Sequence, residues 1–255
     1  MERLTIPDIK KIIESEVNYF IDQYCTQAGI ENIWQEPIIK YADAKNPMFE
    51  DLKAIVLENH YTPAEILEDA ESVLSYFLPF KEEVAKSNVG GKETSEIWAN
   101  AYLLTNELSI YLNEYLIETI RDIGYHAAMP INIGLIEDVL KSRWSQRHVA
   151  YLAGHGTFGL NNMLITEKGC AGRYFSIITA LPIEADPIVQ VERCLYKRTG
   201  KCKACIKRCP TGALTEQGFD RFLCYAMCLE NEKKYKNADV CGKCVVGVPC
   251  SFRSL

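Results

Sequence analysis

The C-terminal part of the chain carries cysteines with the spacing of a ferredoxin. Nine of the eleven cysteines fall within residues 194–250. Residues 202–210 read Cys-x2-Cys-x3-Cys-Pro, and residues 241–244 form a second Cys-x2-Cys pair. In two-cluster ferredoxins a Cys-x2-Cys pair binds two irons of one cube, and the cysteine before the proline ligates the other cube. The spacing therefore predicts two [4Fe–4S] clusters that transfer electrons one at a time.

Two cubes need eight thiolates, so one of the nine cysteines is surplus. Thr199 stands where the first cysteine of the motif is usual, and we expect Cys194 to replace it. Cys25 and Cys170 lie far from the motifs in sequence and are expected to be small buried hydrophobes. One cube is assigned to Cys194, Cys202, Cys205 and Cys250, and the other to Cys209, Cys241, Cys244 and either Cys224 or Cys228.

Zinc and disulfides are the competing interpretations of these cysteines. No histidine lies beyond His155, and nine cysteines are too many for one structural zinc site. Disulfides belong to oxidising compartments. Residues 1–8 lack the apolar core of a signal peptide. The sequence therefore predicts reduced thiols and a cytoplasmic location.

The overall charge suggests which partners to expect. The formal net charge is −6 and the pI is about 5.4, whereas a nucleic-acid-binding domain is usually basic. A nucleic-acid partner is therefore expected to be unlikely. The sequence contains no run of 18 apolar residues, so no membrane span is predicted. The basic run 197–208 offsets cluster charge, docks an acidic electron donor such as a ferredoxin or flavodoxin, or is a solvated face.

The apolar pattern mixes helices and strands without a regular βαβ alternation, which favours an α+β fold. A domain of residues 1–188 is expected to precede a cluster-binding domain of residues 189–255. Proline and a capping box at residues 62–65 predict a helix start. Apolar periodicity predicts helices at 5–28, 93–122 and 135–147, and strands at 54–57, 72–78, 125–129 and 173–181.

A glycine-rich loop stands before the last predicted strand. Residues 154–159 fit G-x-G-x-x-G, but the loop leads into a strand, so the dinucleotide-binding context is missing. Two interpretations remain open for this loop. It is either a tight turn or a place where backbone amides approach a phosphate-bearing cofactor.

Taken together, these segments resemble the epoxyqueuosine reductase family, whose relatives are the reductive dehalogenases. The resemblance covers roughly residues 50–250, and the cysteine motifs are its most specific part. It implies a nitroreductase-like N-terminal domain that holds a cobalamin, fed by two [4Fe–4S] clusters in a bacterial-ferredoxin-like module. The segments that carry it are 70–80, 124–125, 136–137, 153–161, 164–166, 202–214 and 219–224.

The resemblance also implies where the cofactor contacts lie. His155 would be an axial ligand, a proton donor or a simple hydrogen-bonding residue. The approach through residues 219–224 implies that Cys224, and not Cys228, is the cluster ligand. The cofactor-binding residues expected are Asn132, Gly154, His155, Gly156, Thr157, Gly159 and Asn161.

One departure from the family concerns the proton donor. The family has an aspartate after its Gly-Tyr strand, but residues 129–134 contain no carboxylate, and Asn132 cannot act as a general acid. A C-terminal extension that could grip tRNA is also not expected. The chain is therefore expected to pass electrons to cobalamin for a small molecule or a partner corrinoid protein, and tRNA epoxyqueuosine reduction is considered unlikely. The alternatives are an FMN-dependent reductase and an electron carrier without an organic cofactor.

Overall fold

A four-stranded antiparallel sheet lies at the centre of the computed structural model, which describes residues 5–131 and 133–253. Its strands are β1 Ile38–Asp43, β2 Ser72–Pro79, β3 Ala127–Ala128 and β6 Gly172–Thr179, in the order β1-β2-β6-β3. Two short strands, β4 Thr157–Phe158 and β5 Leu164–Ile165, form a separate hairpin.

Helices form most of the other regular structure in the described residues. They are α1 Ile6–Ala28, α2 Met48–Ile55, α3 Pro63–Ile66, α4 Glu82–Ser87, α5 Glu96–Asp122, α6 Gln146–Leu152, α7 Leu195–Thr199, α8 Ala204–Arg208 and α9 Arg221–Lys234, with a 3₁₀ turn at Lys243–Val245. The mixture of helices and sheet that the sequence predicts is confirmed. No helix in the described part of the chain is long and apolar enough to cross a membrane.

The two faces of the sheet are covered by different helices. Leu74 and Ile177, which are paired across β2 and β6, pack in one core with apolar residues of α1 and α5. Val73 and Ile178 form the neighbouring pair, and they pack on the other face with residues of α2 and α6. Adjacent strand residues point to opposite faces of a sheet, so every residue of β2 is buried between the two helical layers.

Two local predictions are wrong. Residues 54–57 are not a strand, because the helix α2 runs through Ile55 and buries Phe49 and Leu52 on one helical face. Residues 135–147 are not a helix. Ile136 pairs with Lys141 in an isolated bridge, and Leu140 has a φ of 50°, which a right-handed helix excludes. The helix that does form there, α6, begins only after Ser145.

The C-terminal cysteine segment packs into the main core. Val245 and Val246 are buried in the same hydrophobic cluster as residues of α1 and α5. Lys243 is also buried, and its Nζ donates hydrogen bonds to the carbonyls of Asn88 and Gly90 at 2.9 and 2.6 Å. These contacts fix the backbone between Cys241 and Cys244 against the loop that joins α4 and α5.

Candidate functional site

Five cysteines surround a cavity of about 350 Å³ in the C-terminal part of the molecule. They come from three separate segments, namely the end of α8, one face of α9 and the loop around the 3₁₀ turn. Apolar side chains, among them Phe80 and Leu214, line much of the remaining wall. The five cysteines are Cys209, Cys224, Cys228, Cys241 and Cys244.

A second, narrower cavity groups the other four cysteines of the motif region. Cys194 and Cys205 are buried there, and backbone and apolar atoms of Gly159 and Val248 complete the wall. The two cavities separate the nine cysteines into the same two groups as the ligand assignment made from their spacing. The four cysteines of this cavity are Cys194, Cys202, Cys205 and Cys250.

Cys224 and Cys228 lie one turn apart on α9, and both face the five-cysteine cavity. Their mutual hydrogen bond lowers the pKa of Cys224 to about 7 and raises that of Cys228. Burial raises the pKa of Cys205 to about 11 and that of Cys244 as well. Of the two candidate ligands, Cys224 is thus the one whose thiolate is stabilised.

Asn161 lies between the two cysteine cavities and lines both of them. Its side-chain amide donates to the carbonyl of Cys244 at 3.1 Å and contacts the sulfur of Cys170 at 3.9 Å. The Sγ atoms of Cys170 and Cys250 are also 3.9 Å apart. Cys170 is a buried neighbour of the cysteine motifs, although it lies far from them in sequence. The one signal in the sequence for this placement of Cys170 is its position beside a glycine turn.

A large cavity, of about 920 Å³, adjoins the cysteine region. It is enclosed by the start of α6, the segment that follows β4, the start of β6 and residues 215–219. Glu216 is the one carboxylate among the described residues that line it. Five cationic side chains line it as well, so the cavity favours a ligand with negative charge. They are Lys141, Arg147, Arg173, Lys197 and Arg221.

His148 is the histidine that lines this large cavity. Its Nδ1 lies 2.7 Å from the hydroxyl of Ser145, and its ring lies 4.9 Å from that of Phe158. Burial, assisted by the charge of Arg147, lowers the pKa of His148 to about 4. The imidazole is therefore neutral at pH 7.

The large cavity and the five-cysteine cavity share part of one wall. Met163, Gly172, Arg173 and Phe219 line both. The guanidinium of Arg173 lies 4.2 Å from the ring centre of Tyr102. A single layer of side chains thus separates the thiols from the large cavity.

Most of the glycine-rich loop is packed away from the large cavity. A Cβ on Gly154 would overlap the carbonyl of Pro187, and one on Gly156 would overlap that of Ile165. Thr157 is buried, and its hydroxyl donates to Glu192. Of the loop residues expected to bind a cofactor, the structure brings only Gly159 to the wall of the large cavity.

His155 is also buried within this loop. Its Nε2 lies 3.1 Å from the carbonyl oxygen of Ser75 in β2, and burial lowers its pKa to about 4. Its Nδ1 has no hydrogen-bond partner among the described residues. The predicted contact Asn132 lies outside the described residues.

The two cysteine cavities differ in size, since the four-cysteine cavity has a volume of about 20 Å³ and the five-cysteine cavity one of about 350 Å³. Among residues 5–131 and 133–253, no three His, Cys, Asp or Glu side chains converge closely enough to hold one metal ion. A [4Fe–4S] cube instead needs four thiolates spread around a space that holds eight core atoms. Thiols grouped around cavities are the donor set that such a cube requires.

Comparison with known proteins finds epoxyqueuosine reductases among the proteins that this chain resembles. No family model matches the chain. An epoxyqueuosine reductase of Listeria monocytogenes is 26% identical over 179 residues, covering 67% of this chain and 43% of the relative. A crystal structure of epoxyqueuosine reductase with an epoxyqueuosine-modified tRNA stem loop has a TM-score of 0.58 and 16% identity, covering 97% of this chain and 66% of that one. The family resemblance predicted from the motifs is confirmed.

A reductive dehalogenase has the same fold. Its structure, which suggests a mechanism for B12-dependent dehalogenation, matches with a TM-score of 0.53 and 16% identity, covering 81% of this chain and 28% of that one. The structural neighbours thus include a protein of B12-dependent dehalogenation, and at 16% identity this likeness shows the fold alone. The chain spans less than half the length of the curated Listeria relative.

Two expectations are overturned by these relatives. The expectation that electrons go to a small molecule or partner corrinoid, and not to epoxyqueuosine in tRNA, is wrong, because the curated relatives are epoxyqueuosine reductases. The expectation that a nucleic-acid partner is unlikely is wrong as well, because the epoxyqueuosine reductase that shares this fold was crystallised with a tRNA stem loop. Neither the flavin nor the carrier alternative is better supported.

The error about nucleic acid has a physical cause. Net charge describes the whole chain, whereas a phosphate backbone responds to local charge. Residues 193–215 contain seven basic side chains and no acidic one, so with −6 on the whole chain the remainder carries −13. The basic segment is also placed at the site, because Lys197 lines the large cavity.

Proposed function

We propose that the chain reduces epoxyqueuosine in tRNA to queuosine, with electrons that reach the large cavity through two [4Fe–4S] clusters. The observation that carries this proposal is the arrangement of two cysteine-lined cavities beside a large, cation-lined cavity. It occurs in a chain that is similar to epoxyqueuosine reductases in sequence and fold. Removal of the epoxide oxygen as water consumes two electrons and two protons, and one-electron clusters can supply the electrons in sequence.

The proposed ligands follow the two cavities. Cys194, Cys202, Cys205 and Cys250 would hold one cube, and Cys224 would complete the other with Cys209, Cys241 and Cys244. In each set the cysteine that closes the site comes from the other sequence motif, as in two-cluster ferredoxins. We accordingly interpret residues 189–255 as a ferredoxin-like unit and residues 1–188 as a nitroreductase-like unit.

The large cavity is the proposed cobalamin site. Its volume of about 920 Å³ lies within the range of cofactor pockets. Its cationic side chains complement the phosphate of a corrinoid tail, and Gly159 contributes a wall without a side chain. Cobalamin, when bound, supplies a strongly reducing metal centre. The protein's part is to position substrate against it and to limit access of water.

The proton source must differ from that of the family, because no carboxylate stands in residues 129–134. Hydrogen bonds from Lys203 lower the pKa of Glu216, and His148 is neutral at pH 7, so neither holds a proton to give. Lys197 donates to the carbonyl of Phe158. We therefore assign proton delivery to the ammonium group of Lys141, which also lines the cavity.

The test uses the anaerobically purified chain with reconstituted clusters, cobalamin, a low-potential reductant and tRNA that contains epoxyqueuosine. Nucleosides from the digested tRNA are then separated and identified by mass spectrometry. We expect queuosine with the wild type, none with Cys244→Ser, and a strong loss of rate with Lys141→Met when cobalamin is saturating. A protein that holds its clusters and cobalamin but forms no queuosine would overturn the proposal.

A further inference from the structure

Two buried N–H groups in the wall of the five-cysteine cavity have no acceptor in the described structure. They are Nε of Arg173 and Nε1 of Trp98, and both residues line this cavity. Buried donors are almost always hydrogen-bonded in native proteins, because an unmade hydrogen bond is costly. The wall to which both residues belong also carries five thiols, whose sulfur atoms can accept a hydrogen bond.

Trp98 stands directly against the second cysteine pair. Its indole packs on Gly242, where an added Cβ would overlap the ring around Nε1. Gly242 itself has a φ of 71°, and together with Lys243 it forms the two-residue spacer between Cys241 and Cys244. The indole N–H is thus beside the turn that presents these two thiols.

Arg173 is the one cation among the described residues of this wall. No carboxylate of residues 5–131 and 133–253 lies within ion-pair distance of it. Its guanidinium stacks on Tyr102, whose hydroxyl donates to Asp239 at 2.5 Å. Asp239 lines the same cavity and is the one carboxylate there. A phenol thus stands between the cation and the nearest carboxylate.

We propose that Arg173 and Trp98 donate hydrogen bonds to the sulfur atoms of the cluster in this cavity and thereby raise its reduction potential. The inference rests on the clusters of the proposed function. Hydrogen bonds to sulfur and local charge both set the potential of an iron–sulfur cluster, because reduction adds negative charge. Arg173 lines the large cavity too, so the tuned cluster is the one that faces the electron acceptor.

Loss of a positive charge and loss of a negative charge from this wall should shift the reduction potential in opposite directions. Arg173→Gln removes a cation, and Trp98→Phe removes one N–H while it keeps an aromatic ring. Both should disfavour the reduced cluster. Asp239→Asn removes a negative charge from the same wall and should favour the reduced cluster. Arg121→Gln, at the exposed end of α5, is the matched control for the loss of an arginine.

The experiment is an anaerobic redox titration of the purified protein, followed by electron paramagnetic resonance, with iron and sulfide measured on each sample. We expect Arg173→Gln to reduce the one-electron equilibrium constant of one cluster at least tenfold, a shift of about 59 mV. Trp98→Phe should shift the same cluster in the same direction, Asp239→Asn should shift it upward, and Arg121→Gln should change neither cluster.

The outcomes separate this inference from the proposed function. A wild type without eight iron and eight sulfide would contradict the cluster proposal itself. Full iron content with unchanged potentials in Trp98→Phe and Asp239→Asn would overturn the inference alone. Asp239→Asn conserves side-chain volume and Trp98→Phe keeps an aromatic ring, so measurements on samples with full iron content decide the question even where Arg173→Gln loses iron.

Discussion

Cys224 and Cys228 compete for one ligand position, and their surroundings differ. The interaction with Cys228 lowers the pKa of Cys224 to about 7, and iron binds thiolates, so we expect Cys224 to be the ligand. We expect Cys224→Ser to remove or degrade one cluster and Cys228→Ser to leave both. Iron and sulfide analysis with electron paramagnetic resonance of the reduced proteins measures this.

The two exchanges are each other's control, since both residues lie on the same face of α9 and line the same cavity. Loss of a cluster in Cys228→Ser with both clusters kept in Cys224→Ser would reverse the ligand assignment.

Gly156 is required by close packing of the backbone. A Cβ there would overlap the carbonyl of Ile165, which is part of a strand and cannot move freely. We expect Gly156→Ala to lower the free energy of unfolding by about 1–3 kcal/mol. Thermal unfolding under anaerobic conditions measures the change.

Gly218→Ala is the matched control, because nothing lies within 4 Å of a Cβ at that position. Equal melting temperatures for Gly156→Ala and wild type would show that the loop can adjust at no cost.

Single residues were predictable where their spacing carries the chemistry. The cysteine motifs specify two groups of thiols from sequence alone, and the structure forms two such groups. Cys170, Trp98 and Arg173 were not predictable as members of the site. Each is brought there by strand or helix packing, and no motif marks a residue whose neighbours are distant in sequence.

At the level of elements, His155 joins the loop after α6 to the central strand β2. It is buried and neutral, and its pKa of about 4 is below the ordinary value of about 6.5. A histidine with a depressed pKa stabilises the fold fully above pH 6.5, and this contribution is lost as the pH falls toward 4. Because of His155, we expect the free energy of unfolding to be about 1 kcal/mol lower at pH 5.5 than at pH 7.5.

Thermal unfolding of His155→Gln at the two pH values tests this, and its stability should depend less on pH than that of the wild type. His126→Gln is the control, because the His126 side chain is 76% exposed. An unchanged pH dependence in His155→Gln would mean that the pKa of His155 is the same in the folded and unfolded protein.

The elements themselves were predictable where the apolar pattern was long. The helices α1 and α5 and the strands β2 and β6 lie where periodicity places them. Short apolar runs failed, because the four residues 54–57 satisfy a strand and a helix end equally well. The region 135–147 failed because helical spacing does not reveal a turn with Leu140 at positive φ.

At the level of the whole molecule, the charge is strongly divided. The basic segment 193–215 borders the large cavity, and the acidic remainder repels a phosphate backbone from most of the surface. We expect tRNA to bind along this segment with an affinity that falls as salt rises. Loss of two phosphate contacts in Arg198→Gln/Lys201→Gln should weaken binding and reduce the log–log salt slope by about 2.

Fluorescence anisotropy with labelled tRNA at several salt concentrations measures both quantities. Lys233→Gln/Lys234→Gln, at the end of α9, is the matched control, since Lys233 is paired with Glu230 and Lys234 with Glu93. An equal loss of affinity in both double variants would place the tRNA elsewhere on the molecule.

Val245 and Val246 bury their side chains with α1 and α5, and Lys243 is bound to carbonyls before α5. The cysteine segment is therefore part of the main core and cannot be separated from it. Residues 1–188 expressed alone would expose the apolar surface that these valines cover. We expect this fragment to aggregate in inclusion bodies. Fusing residues 189–255 to another protein would fail for the complementary reason, because Val245 and Val246 would lose the apolar residues against which they pack.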